Sequence, residues 1–237
     1  MIDRPELIAI EPALTVPEAL IFIDSSLSLP GSRPLRNAVL WSVLRQVGWC
    51  GSLYYLAWDG SPYSLLEYLA QMGPDAIGYW QRYKSRAKRV GKSHLPLLIA
   101  DLPETRVSLL SLSLGARVAY YAMQDWRKTS ACLNNAIFLA GAVLRGSSKD
   151  WDGAAQPLSG RLINAYNLDD WVLKRFCQMV NWNRSPCGTK PIKATHDTIY
   201  NVNATPLMAM AKHDPLYYQP VLQALVERDI WRLQTLS

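Results

Sequence analysis

A serine between small neighbours, a histidine and an aspartate could together turn an alcohol into a nucleophile, and this chain offers all three. Ser113 lies in Ser111-Leu112-Ser113-Leu114-Gly115, with a small residue two positions before it and a glycine two after. That is the spacing of the nucleophile elbow, G-x-S-x-G, with serine in the first glycine position. Small flanks are required because the nucleophile sits on a strained turn where strand and helix backbones nearly touch. At a helix N-terminus, free amide groups would stabilise negative charge developing on a substrate oxygen. A serine hydroxyl at its ordinary pKa is a poor nucleophile, so an imidazole must take its proton and a carboxylate must orient the imidazole. The same string also fits an ordinary turn between strand and helix, so the partners decide.

The chain has 3 histidines. His94 precedes the serine, against the chain order Ser, Asp, His of elbow enzymes. His196 enters the last predicted strand, and His213, in AKHDPLYY, lies in the loop beyond it. The base in this arrangement comes from the loop after the final strand, at the carboxyl edge of the sheet. His213 is therefore the predicted base. The acid belongs at the carboxyl end of a strand between the two, and Asp169 and Asp170, directly after RLINAYN, hold that place. Aspartates there also suit a helix N-cap, so one of the pair can cap while the other orients the imidazole. Asp150, Asp152 and Asp214 are less well placed, in a loop or beside the base.

These groups need a scaffold that brings distant segments to one edge. Strands are predicted at 19–24, at 51–58, from 106 to the elbow at 111–115, and at 135–143, 161–167 and 199–202, from short apolar runs bounded by turn residues. Helical spacing follows at 34–49, at 64–89 with a break at Gly73-Pro74, after the elbow to Met123, at 172–180 and at 221–233. Residues 94–99 suggest a short extra segment, 144–160 a polar surface excursion and 181–191 a Pro/Asn/Gly-rich stretch. Residues 1–18, with Pro5, Pro12 and Pro17, read as an irregular arm. Alternating strands and helices predict an α/β fold, a mostly parallel sheet with helices on both faces, and 237 residues suit a single domain over 1–237.

Hydrophobic residues at 49% and charged residues at 19% exclude a disordered chain. No apolar run reaches the ~18–20 residues of a membrane span, and the acidic, proline-broken start differs from a signal peptide, so a cytoplasmic location is expected. Cys50, Cys132, Cys177 and Cys187 form no C-x-x-C pair, which argues against zinc and for reduced, packed thiols; only Cys177 and Cys187 invite a local disulfide. No cofactor or metal is expected. The net charge is +6, much of it in Arg82, Lys84, Arg86, Lys88, Arg89 and Lys92. A solvated face near a helix C-terminus accounts for that run, and peripheral contact with an anionic membrane surface is the functional alternative. Nucleic acid is not expected, because no reader motif accompanies the charge.

Four segments, GWCGSLYYLAW, SLSLGARVAYYAM, LINAYNLDDWVLKRF and KHDPLYY, resemble the α/β-hydrolase family of the transmembrane and coiled-coil domain proteins. In that family a G-H-S-L-G-A-R-V elbow precedes a strand ending in Asp-Trp-Val-Leu and a late His near Tyr. The likeness spans residues 19–218 by short motifs separated by unlike sequence. It implies the α/β-hydrolase fold, Ser113 as nucleophile, Asp170 (directly before Trp171) as acid, His213 as base, and a lipase- or esterase-like activity on an ester or lipid small molecule. The oxyanion would be held by the backbone N–H groups of Leu114 and Ser26. This chain departs from the pattern at Ser111-Leu112, which replace Gly-His, and at Asp24-Ser25-Ser26, where hydrolases often carry His-Gly-aromatic. It also has no counterpart of the larger relatives' membrane-spanning segments. The altered oxyanion loop makes a non-catalytic binding module the first alternative, and an acyltransferase or thioesterase with the same triad the second.

Overall fold

Runs of Val, Leu and Ile buried on both faces form the centre of the protein. The computed structural model describes residues 4–14, 16–24, 33–58, 76–126, 131–174, 184–208 and 215–233. Within them the strands are β1 (Glu6–Glu11), β2 (Glu18–Ile23), β3 (Ser52–Ala57), β4 (Arg106–Leu112), β5 (Cys132–Leu139), β6 (Leu162–Tyr166) and β7 (Ile199–Asn203). They form one 7-stranded sheet in the order β1-β3-β2-β4-β5-β6-β7. Every neighbouring pair is parallel except β1 with β3. Central β2 is buried at every position, as a parallel strand covered on both sides must be. The edge strands β1 and β7 are exposed or half-buried at every position.

The helices are α1 (Arg33–Gln46), α2 (Ala76–Arg89), α3 (Leu95–Ala100), α4 (Gly115–Gln124), α5 (Trp151–Ala155) and α6 (Gln219–Glu227). Sheet register puts Phe22, Leu110 and Ile137 side by side on one face and Ile23, Ser111 and Phe138 on the other. Phe22 meets Trp41 of α1 edge-on at 5.8 Å, and Phe138 meets Trp151 of α5 at 6.0 Å. Helices therefore cover both faces, in agreement with the α/β reading.

Three local expectations change, and the short extra segment expected before β4 is present. The supposed irregular arm contains β1, because Leu7 and Ile10 in ELIAIE pack on the core while the strand pairs antiparallel along β3. β5 begins at Cys132 and ends at Leu139, earlier at both ends than 135–143, since Ala140 turns the chain with φ 47°. The polar excursion 144–160 includes α5, capped by Asp150 Oδ1 on the Gly153 amide at 2.8 Å and anchored by buried Trp151, Ala154 and Ala155. Residues 94–99 join a π-helical turn, Val90–His94, to α3. Residues 64–75 and 175–180 of the predicted helices lie outside the described residues.

The amino edge of the sheet is tied by carboxylates. Buried Glu18 accepts hydrogen bonds from Ser108 Oγ at 2.6 Å and Asn134 Nδ2 at 2.9 Å, joining β2, β4 and β5. Glu104 accepts from Ser52 Oγ and from the Tyr54 hydroxyl, joining β3 to the approach to β4.

Candidate active site

The turn from β4 into α4 holds Ser113 at φ 54°, a left-handed conformation that costs a residue with a Cβ roughly 1–2 kcal/mol. Neighbouring groups hold it there. The Ser113 amide donates to Leu139 O at 2.9 Å, and its carbonyl accepts from Ala142 at 2.8 Å and Ala116 at 3.2 Å. Gly115 is required by space: a Cβ there would stand 1.9 Å from Ile23 O, at the end of β2. Ser111 fits the first glycine position because its hydroxyl is small, fully buried and donates to Ile137 O at 3.1 Å. Ser113 is itself buried at 3% exposure, and the Leu114 amide stands in the first turn of α4, where helix amides lack an intrahelical acceptor.

The predicted acid turn, at Asp169-Asp170, follows β6. Asp170 is 1% exposed, whereas Asp169 is exposed. Asp170 Oδ1 accepts from the Leu173 amide at 2.9 Å, so helix capping and burial fall on one residue rather than being divided between the two aspartates. The backbone connects this turn to the elbow through residues 184–190. Ala142 N donates to Ser113 O, Gly188 N to Gly141 O at 2.9 Å, Asn167 N to Gly188 O at 2.9 Å, and Asp170 N to Asn167 O at 3.3 Å. The link needs glycine at its centre, since a Cβ on Gly188 would lie 2.3 Å from Ala140 C.

His213 and Ser26 lie outside the described residues, and the segments flanking His213 are fixed beside the acid turn. Upstream, Asn167 Nδ2 donates to Met208 Sδ at 3.5 Å, and Leu168 N donates to Thr205 Oγ1 at 2.8 Å. Downstream, Tyr218 is fully buried, and burial together with the Asp170 charge pushes its phenol well above the ordinary range. The loop that would carry Ser26 leaves β2 through Asp24, a buried residue whose carbonyl accepts from Trp58 Nε1 at 2.9 Å.

The other candidates have different surroundings. His196 precedes β7, at the amino edge, with Nδ1 2.9 Å from Thr198 Oγ1. Asp152 accepts from the amides of Thr195 and His196, and Asp150 caps α5, so both have structural partners. His94 ends the π-helical turn. Cys187 is a free thiol, fully buried, bonded to Gly141 O at 3.4 Å and pushed up to about 12 by burial; Cys177 lies outside the described residues. Among the described residues no three His, Cys, Asp or Glu side chains are grouped to hold a metal ion. A cleft of about 310 Å³ lined by Arg106, Asn134 and Arg161 opens at the amino edge, away from Ser113. Sequence reasoning missed Tyr218 and the Gly188 bridge. The only local signal was a glycine beside a cysteine in an otherwise irregular stretch.

A parallel sheet with an antiparallel edge strand, and a serine in the left-handed region between a central strand and the next helix, define the α/β-hydrolase fold. The chain belongs to the DUF726 family, described as a protein of unknown function, whose model matches residues 37–228. It is 31% identical over 128 residues to an uncharacterized membrane protein of Caenorhabditis elegans, covering 52% of this chain and 21% of that one. It is 32% identical over 97 residues to the transmembrane and coiled-coil domain-containing protein STS1 of Oryza sativa subsp. japonica, covering 40% and 15%. The matched stretches thus span about a fifth or less of these relatives. Among solved structures, the chain is similar to enterochelin esterase from Shigella flexneri (TM-score 0.45, 15% identity, 94% and 53% covered). It is also similar to alpha/beta hydrolase domain-containing protein 10 from mouse (TM-score 0.44, 12% identity, 96% of each chain covered).

Proposed function

We propose that this chain cleaves a carboxylic ester by nucleophilic catalysis through Ser113, His213 and Asp170. Ser113 Oγ attacks the carbonyl carbon as the His213 imidazole takes its proton. The tetrahedral oxyanion is held by the amides of Leu114 and Ser26. Its collapse expels the alcohol with the proton from His213, and water then releases the acyl group by the same route in reverse. Asp170 fixes the tautomer of the imidazole. The observation that carries this reading is the left-handed Ser113, held by backbone hydrogen bonds to Leu139 and Ala142 at the carboxyl edge of the sheet. The anchoring of Met208 and Tyr218 around the acid turn supports His213, which lies between them in the sequence, as the base.

Leu168 and Trp171 are large apolar side chains exposed on either side of the Asp169-Asp170 pair, 41% and 48% respectively, and support an acyl or lipid ester as substrate. Relatives that carry membrane in their names support work at a membrane surface. Among the described residues no helix is long and apolar enough to cross a bilayer. The test is hydrolysis of p-nitrophenyl esters of graded acyl length together with labelling by a fluorophosphonate probe. Ser113→Ala is expected to abolish labelling and lower kcat/KM by about 10³-fold or more. Equal turnover by the variant, or an unlabelled wild type, would overturn the assignment in favour of a binding module.

A further inference from the structure

The basic run read from the sequence has its most organised part around one ring, Tyr121 on α4. The Lys149 ammonium, from the segment before α5, donates to the Tyr121 hydroxyl at 2.7 Å and lies 4.9 Å from the ring centroid. Arg117 donates to the same hydroxyl at 3.3 Å, with its guanidinium carbon 5.1 Å from the centroid. Lys88 of α2 stands 5.5 Å over the same ring. Arg117 also donates to the main-chain carbonyl of Lys84 at 3.2 Å. Cations are thus gathered from two helices and a loop.

Nearby carboxylates are engaged elsewhere. Asp125 pairs with Lys92 at 3.4 Å, and Asp150 accepts from the Gly153 amide. Among the described residues no ion pair joins Lys88, Arg117 or Lys149 to a carboxylate. Burial alone would raise the Tyr121 phenol, but the Lys149 hydrogen bond and the charges of Arg117 and Lys88 draw it below its ordinary value. Lys84 is lowered by burial and by repulsion from Arg117 and Lys149. With two donors on its oxygen, the Tyr121 hydroxyl directs its own hydrogen away from them.

We propose that Lys88, Arg117, Lys149 and the Tyr121 hydroxyl form a binding site for a phosphate group, best filled by a dianionic phosphomonoester. Such a group carries about −1.5 to −2 charges on three terminal oxygens, which matches converging cationic donors and relieves their mutual repulsion. Tyr121 lies ~9 Å along α4 from Gly115, the residue that starts the helix after the Ser113 turn. The site is therefore separate from the elbow and independent of the ester-cleaving reading. A lipid headgroup and a soluble phosphomonoester both carry this chemistry.

The experiment measures binding of the full chain to inorganic phosphate by titration calorimetry. It also measures co-sedimentation with phosphatidylcholine vesicles containing phosphatidic acid, or phosphatidylserine at matched total charge. Phosphatidic acid vesicles are expected to bind at least several-fold more tightly than phosphatidylserine vesicles. The double variant Lys88→Gln/Lys149→Gln is expected to lose at least about 10-fold in affinity. Tyr121→Phe, which keeps the ring, should lose less, and short-chain ester turnover should stay at the wild-type level in all of them. Binding of inorganic phosphate without vesicle recruitment upholds the site and assigns it to a soluble phosphomonoester. Equal binding by wild type and double variant, recruitment to both anionic lipids with equal affinity, or no binding of either phosphate or vesicles overturns it, since diffuse surface charge or nothing at all then accounts for the attraction.

Discussion

At the scale of single residues, the elbow separates stability from activity. Ser113 occupies a torsion that glycine adopts freely and alanine resists, so Ser113→Gly should unfold at higher urea than Ser113→Ala, by about 1 kcal/mol, although both are expected to lose the proposed activity. Equal stability of the two variants would show that the turn stores no strain. The aspartate pair allows a second comparison. Asp170→Asn keeps a capping oxygen for Leu173 and should leave the Tm nearly unchanged, while kcat falls by about 10³–10⁴-fold through loss of the imidazole's orienter. Asp169→Ala, at an exposed position, should stay within about 2-fold of wild type. Ser113 was legible from spacing because small flanks follow directly from the sterics of the turn. Which aspartate is buried was not legible, since both are equally able to cap and only the packing of Tyr218 and the 184–190 segment separates them.

At the scale of elements, the carboxyl edge depends on a segment that has no regular structure. Residues 184–190 carry the backbone bonds that join the elbow to the acid turn, and Gly188 approaches Ala140 too closely for any side chain. Gly188→Ala should therefore destabilise the fold by about 1–3 kcal/mol, as overpacking does. It should also lower esterase activity by more than the unfolded fraction explains, measured with the fluorophosphonate probe on the folded population. Central strands were readable because a run apolar on both faces has few other homes, and β2 and β4 fall close to their predicted positions. Edge strand β1 was hidden by three prolines that bracket rather than interrupt it. Helix α5 was hidden because Trp151 and its alanines are too few to set a period, and their burial comes from Tyr120 and Phe138.

At the scale of the whole molecule, buried ionisable groups set the response to alkali. Burial raises the Cys187 thiol from 9.0 to about 12, and Tyr218 is raised in the same direction by burial and by Asp170. A group whose folded-state pKa is raised holds its proton more tightly when folded. Its stabilisation is complete below the unfolded pKa and disappears as pH climbs through the folded one. Urea unfolding should thus show stability falling from about pH 9 toward pH 12, and less steeply in Cys187→Ala. An identical slope would assign the loss to other groups. None of this was visible in the sequence, where Cys187 was simply one of the cysteines near enough to invite a disulfide. The opposite rim of the sheet has its own polar organisation, with Glu18 and Glu104 bonded across β2, β3, β4 and β5 far from Ser113. That separation bears on evolvability: changes at the amino rim can retune thermal tolerance without touching the turn that holds Ser113.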